Sequence, residues 1–258
     1  GFEIDPSASF TNHGVLRAES GSYLNLWHAT YNFAAPVVAG DGGTVYLSAG
    51  GFSGTVDTEG SGVIRSNGYG GSVVLSSFTN RGNFVMANDF DLGVVGSIVN
   101  EGTFHMNSAG NATTIYVYAD SAFSGGGTIE MSDRLENQIF DPSGDRGFTF
   151  TNLDNTIIGS VSIGFNSINL VNAPSGRIIA STPSGIVIDP SASVLNQGEM
   201  RASGGSIYIA PAATFTNQGT LAADAGRMIQ IGGMTLRQTA GVTIANGEVQ
   251  VDNNAFNL

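Results

Sequence analysis

The stretch Phe-Thr-Asn-Gln-Gly-Thr-Leu at residues 215–221 returns along the chain. It reads Phe-Thr-Asn-His-Gly-Val-Leu from Phe10, Phe-Thr-Asn-Arg-Gly-Asn-Phe from Phe78, Ile-Val-Asn-Glu-Gly-Thr-Phe from Ile98 and Val-Leu-Asn-Gln-Gly-Glu-Met from Val194. Looser versions start at Val38, Thr58, Phe123, Phe150, Leu170 and Ile244. Val38, Thr58, Phe78 and Ile98 follow one another at 20-residue spacing, and the other gaps run from 20 to 29 residues. A period of this size marks a solenoid, in which each coil is too small to bury its own apolar face and stacks on its neighbours.

The coils are built of strands. Apolar residues alternate in period two on either side of the motif, as in Thr-Val-Tyr-Leu-Ser-Ala from Thr44 and Ser-Ile-Tyr-Ile-Ala from Ser206. No segment carries a sustained helical stripe. Coils of irregular length point to a right-handed parallel β-helix of about eleven or twelve coils; a left-handed one keeps a stricter hexapeptide rhythm. With 41% hydrophobic residues the chain has enough apolar side chains for a continuous core, and residues 1–258 read as one domain. At ~4.8 Å per coil the rod is roughly 55 Å long.

The motif defines columns. Its first position points inward at Val38, Phe78, Ile98 and Phe215, and its seventh at Leu16, Ile64, Phe84, Phe104, Ile129, Met200 and Leu221. Two residues on, Met86, Met106 and Met131 share a column with Ala18, Ala202 and Ala223. Met fills irregular gaps well, so this column reads as core. Between Asn and Gly stand His13, Asp41, Ser61, Arg81, Glu101, Gly126, Leu153, Ala173, Gln197 and Gln218. That mixed chemistry suits an exposed turn, with Arg81 and Glu101 paired one coil apart. The turn itself rests on Asn12 and Gly14, Asn80 and Gly82, Asn100 and Gly102, Asn196 and Gly198, and Asn217 and Gly219. Gly60 and Gly125 replace the Asn in other coils. Asn and Gly share a tolerance of left-handed backbone angles, so the turn's conformation is the expected primary need. A ladder of Asn side chains would be an addition. A longer echo joins Ile4 to Ile188: both open the block Ile-Asp-Pro-Ser-Ala-Ser, and the likeness continues for more than a coil.

Several chemistries are excluded by residue type. There is no Cys, and the nine basic residues are all Arg, which removes thiolate, Schiff-base and P-loop chemistry together. A net charge of −12 repels a phosphate backbone, so nucleic acid is not an expected partner. No apolar run is long enough to span a membrane. The chain opens on Gly without a secretory signal and reads as a mature or excised segment.

Many right-handed β-helices act on carbohydrates, which requires carboxylates converging on one face. The acidic residues here are scattered. Asp141, Asp145 and Arg146 in Asp-Pro-Ser-Gly-Asp-Arg-Gly, and Asp89 with Asp91, are the densest groups. Carboxylate and carbonyl oxygens of that kind suit Ca²⁺, but Asp-Pro-Ser-Gly is also a plain turn, and the turn reading is preferred. No cofactor is otherwise expected. His13, His28 and His105 occupy different columns and have no metal-ligand spacing; His105 reads as an outward strand residue. The aromatic concentration at Leu26–Pro36 holds the only Trp, Trp27, with Tyr31 and Phe33. Trp27 and Tyr31 are the candidate glycan contacts. The preferred reading is that this insertion folds its rings over the rod's core or end.

Repeat pattern runs from the first residues to the last with no amphipathic capping helix. This points to a segment of a longer array or to copies stacked end to end through unpaired strand edges. The pattern in Phe-Thr-Asn-His-Gly-Val-Leu-Arg-Ala-Glu-Ser-Gly-Ser-Tyr-Leu-Asn-Leu from Phe10, and its counterpart from Phe215, resembles the β-strand repeats of bacterial secreted β-helical proteins. These include filamentous-haemagglutinin-like adhesins and autotransporter passenger domains. The resemblance implies an extracellular or cell-surface location and an adhesive or scaffolding role without catalysis. The expected partners are the protein itself, end to end or as part of a longer chain, and surface glycans. The alternative is a carbohydrate-binding or polysaccharide-degrading β-helix.

Overall fold

The computed structural model describes residues 1–67, 72–210, 213–233, 235–252 and 255–257. Among them lie 29 strands and no helix. All strand pairings are parallel and join one continuous 29-stranded sheet that winds into a β-solenoid of about 12 turns. Each coil contributes to three faces. On the first, Phe2, Leu24, Val45, Ile64, Phe84, Phe104, Ile129, Ile157, Ile178, Met200, Leu221 and Thr243 pair rung on rung. The second face carries an isoleucine column, Ile115, Ile139, Ile163, Ile188, Ile209 and Ile231. The third carries Phe78, Ile98 and Phe123, then Phe150, Leu170, Val194, Phe215 and Leu236.

Alternation explains the core. In strands such as Asn83–Met86 and Thr103–Met106 every second residue is fully buried, and the period-two inward set of one coil lands on that of the next. Phenylalanines thread the centre: Phe84 lies 4.6 Å from Phe104, Phe104 6.0 Å from Phe123, and Phe123 5.5 Å from Phe150, centroid to centroid. Met86, Met106 and Met131 form the expected buried column, which continues as Ala180, Ala202 and Ala223.

The first coils depart from the expected register. Phe78 pairs with Gly54, not Thr58, and the pairing slips by one residue between Phe52 and Gly54 and again between Ser76 and Phe78 against the next coil. A further slip at Phe33/Val37 puts Val37 and Val56 inward, and Val38, although buried, lies at the outward parity in the column between Arg17 and Asp57. Leu16 pairs with Val37 and Ala18 with Ala39, so neither belongs to the columns predicted for them. The motif at Phe10 thus occupies the corner between the second and third faces, whereas the one at Phe78 joins the third to the first. The echo block is displaced likewise: Ile4 stands in the first-face column beside Leu26, and Ile188 in the second-face isoleucine column. All three faces need the same alternation, so one local sequence fits either corner.

Candidate functional surface

The Asn-x-Gly corner is an axial seam. Asn80 Nδ2 donates to Asn100 Oδ1 at 2.9 Å, and Asn100 Nδ2 to Asn155 Oδ1 at 2.8 Å. A second run goes from Asn152 to Asn172 at 3.0 Å, Asn196 at 2.8 Å, Asn217 at 2.8 Å and the Gln238 Oε1 at 2.9 Å. Each of these Asn side chains is fully buried, and several also donate to a carbonyl of the next coil, as Asn196 does to Thr220 O. Where Gly125 supplies no side chain, Asn155 from the following coil fills the position.

This corrects the conformational reading of the corner. None of the ladder asparagines has a positive φ, whereas Gly60 and Gly125, which replace Asn, have φ of 55° and 103°. The side-chain ladder is the primary need, and the left-handed turn is the alternative used where the ladder is interrupted. Gly102, Gly198 and Gly219 also lack a positive φ; a Cβ on them would lie 2.1–2.2 Å from a glycine carbonyl oxygen of the preceding coil. Close stacking therefore excludes a side chain there. Asn12 and Gly14 stand apart from the seam: Asn12 Nδ2 donates to Ala35 O at 3.0 Å, and a Cβ on Gly14 would meet nothing within 4 Å.

The residue between Asn and Gly is exposed at His13, Asp41, Ser61, Arg81, Glu101, Gly126, Leu153 and Gln218, and half-buried at Gln197. Ala173 is buried instead, because the inserted Pro174 and Ser175 take the outer position. Arg81 Nε pairs with Glu101 Oε2 at 3.1 Å on adjacent coils.

Carboxylates act as staples between coils and across loops. Asp41 accepts the Ser61 N–H at 2.8 Å, and Asp133 accepts the Ser184 N–H at 2.8 Å; these bonds hold both carboxyls below the usual range. Asp141 is buried and takes a bidentate contact from Arg146 at 2.7 and 2.6 Å, with Ser143 N–H at 2.9 Å. The Arg146 guanidinium is the main reason its carboxyl lies low. Asp145 accepts the N–H of Gly147 at 2.9 Å, within the same turn. Asp91 receives the Tyr116 hydroxyl at 3.2 Å, and exposed Asp89 has a φ of 71°. No group of three or more His, Asp or Glu fit to hold a metal occurs among the described residues. His105 pairs outward with Glu130 at 3.0 Å and His28 lies 3.4 Å from Asp5; His13 is exposed.

The Trp27 and Tyr31 pair separates. Tyr31 is fully buried, its ring stacked at 5.0 Å on Phe52 and its hydroxyl 2.7 Å from Ile4 O. Burial pushes its pKa up to about 12. It is core and out of a glycan's reach, because the Leu26–Pro36 segment is itself coil wall within strand Tyr23–Ala39. Trp27 is half-buried beside His28.

The outward aromatic residues lie elsewhere. On the second face Gly93, Tyr116, Phe140 and Gly164 succeed one another in one outward column. Tyr116 meets Phe140 edge-on at 5.4 Å and Tyr118 at 6.0 Å; Phe140 meets Phe165 at 5.0 Å. Tyr118 spreads over Gly93, where a Cβ would come within 2.4 Å of its ring. Phe165 is 46% exposed with a φ of 50°, followed by Asn166 at 54°. A left-handed backbone at a bulky residue costs on the order of 1 kcal/mol or more. Asp189, raised by burial, accepts Asn166 Nδ2 at 3.1 Å beside a small hollow of about 60 Å³ lined by Ser162, Phe165 and Val187. The sequence signal was available: Tyr116, Tyr118 and Phe140 are aromatic at the outward parity of their strands. Compared with family models, curated proteins and solved structures, the chain gives no match.

Proposed function

We propose that the protein is a non-catalytic, extracellular structural rod, the stiff element of a surface fibre, matrix or adhesin stalk. The observation that carries this reading is how much of the chain serves axial contact. Parallel pairing passes from Phe2 through to Asn257, and buried Asn ladders and a glycine seam run beside it. Such an interior resists bending and proteolysis, because opening one coil strands the polar groups of its neighbours. The motif's resemblance to secreted β-helical repeats supports an exterior location, and a Cys-free chain is indifferent to the redox state there. The unpaired edges of the outermost rungs accept further rungs, from the same polypeptide or from another copy.

Electron microscopy of native material tests this reading. Rods at least as long as the roughly 55 Å expected from twelve rungs, alone or joined axially, support it. Compact particles, or release of reducing ends from a polysaccharide by the purified protein, would sink it.

A further inference from the structure

We propose that the outward aromatic strip of the second face, Tyr116, Tyr118, Phe140 and Phe165, binds an uncharged polysaccharide. The site requires only the stacked rungs and stands whether or not rods assemble.

The strip spans three successive rungs, a length of roughly 10 Å along the axis. That suits a run of two or more sugar units better than a monosaccharide. The rings form one connected surface through the contacts of Tyr116 with Tyr118 and Phe140, and of Phe140 with Phe165. A pyranose has an apolar C–H face and a rim of hydroxyls. Aromatic rings with polar tips match that division, the ring taking the C–H face and the phenol a hydroxyl. Acceptors border the strip: Asp91 beside the Tyr116 hydroxyl and Asp189 beside Phe165.

Phe165 is the most telling member. A side chain 46% exposed adds little to the core, yet its backbone is held left-handed beside Gly164 and Asn166. The turn is fixed by Ser167 N–H to Gly164 O at 3.0 Å and Asn166 N–H to Asp189 O at 2.8 Å. The result is a ring presented to solvent over Phe140.

Charge and area select the occupant. A net charge of −12, with carboxylates at the strip's border, disfavours acidic polymers. Three half-buried rings and one more exposed offer on the order of 300 Å². A second copy needs about 800 Å² from each partner.

Affinity electrophoresis through gels containing xylan, mixed-linkage glucan, galactomannan or polygalacturonate tests the assignment. The wild type should be retarded by at least one of the three neutral polymers. Phe165→Gly suits a φ of 50° and should keep the wild-type melting temperature, while weakening binding about ten-fold or more. Tyr118→Ala provides an independent second variant with the same expected loss. The proposal fails if no neutral polymer retards the protein, or if only polygalacturonate does. It fails equally if both variants bind as the wild type does. Self-association that Phe165→Gly abolishes, without retardation by any neutral polymer, would assign the strip to a second copy instead.

Discussion

Asn196 accepts from Asn172 and donates both to Asn217 and to Thr220 O, all within a side-chain environment closed to water. Two readings of such a residue make opposite predictions. If its value were backbone tolerance, Gly would replace it without harm. If its value is the ladder, Gly removes all three of these intercoil bonds, leaves Asn217 Oδ1 without its donor, and adds chain entropy to the unfolded state. Asn196→Gly and Asn196→Ala should therefore each cost about 2–4 kcal/mol in urea unfolding, with Gly at least as damaging as Ala. A Gly variant as stable as the wild type would restore the conformational reading. The recurrence of Asn was plain in the sequence, but its reason was not. Asn and Gly alternate at this position, as Asn100 and Gly125 do, and only coordinates separate a ladder member from a left-handed substitute.

Loops between coils are where local chemistry departs from the repeat. The Asp141–Gly147 turn is closed by one ion pair whose acid is buried and whose base is partly exposed. With its carboxyl depressed in the folded state, Asp141 contributes stability that is complete above the ordinary carboxylate value of about 3.9 and is lost as pH falls through its lower folded value. Arg146→Ala should reverse the perturbation. Without the guanidinium, burial favours the neutral acid, and the midpoint should rise to or beyond the ordinary carboxylate value. A carbon-detected NMR titration of the Asp141 carboxyl reads this directly, and an unmoved midpoint would deny the pair its role. Element types were legible from alternation, including the first-face column from Ile64 to Ile129 and from Met200 to Leu221. Register in the opening coils was not. Bulges near Phe33, Phe52 and Ser76 shift pairing by amounts that depend on how two strands meet, so Val38 and Leu16 moved out of their expected columns. Tyr31 follows the preferred reading of its segment as core, and its strand's alternation makes it inward; what the sequence did not show is that the segment is coil wall and not an insertion.

Across the whole molecule strand pairing joins each coil to its neighbours alone, with a few side-chain bonds such as Asp133 to Ser184 reaching one coil further, so stability is to a first approximation a sum of coil and interface contributions and not the property of one central core. The number of neighbours then governs local opening. Coils around Phe104, Ile129 and Ile157 have several rungs on both sides, and every inward residue there is fully buried. The strand Val242–Ala245 is exposed along its length, and Phe2 is 64% exposed on the opposite outermost rung. Amide hydrogen exchange should therefore be slowest in the central coils and quicken towards both outer rungs, with Phe2–Ile4 and Val242–Ala245 fastest. Uniform protection from rung to rung would mean that the coils open only together, against a nearest-neighbour solenoid. The same measurement bears on axial assembly. If further rungs add to the outer edges, raising the protein concentration supplies the missing neighbour and slows exchange at the outer strands selectively. The central coils, whose neighbours are already in place, should not change. Outer-strand exchange that stays constant over the accessible concentration range would confine axial growth to rungs supplied within one polypeptide.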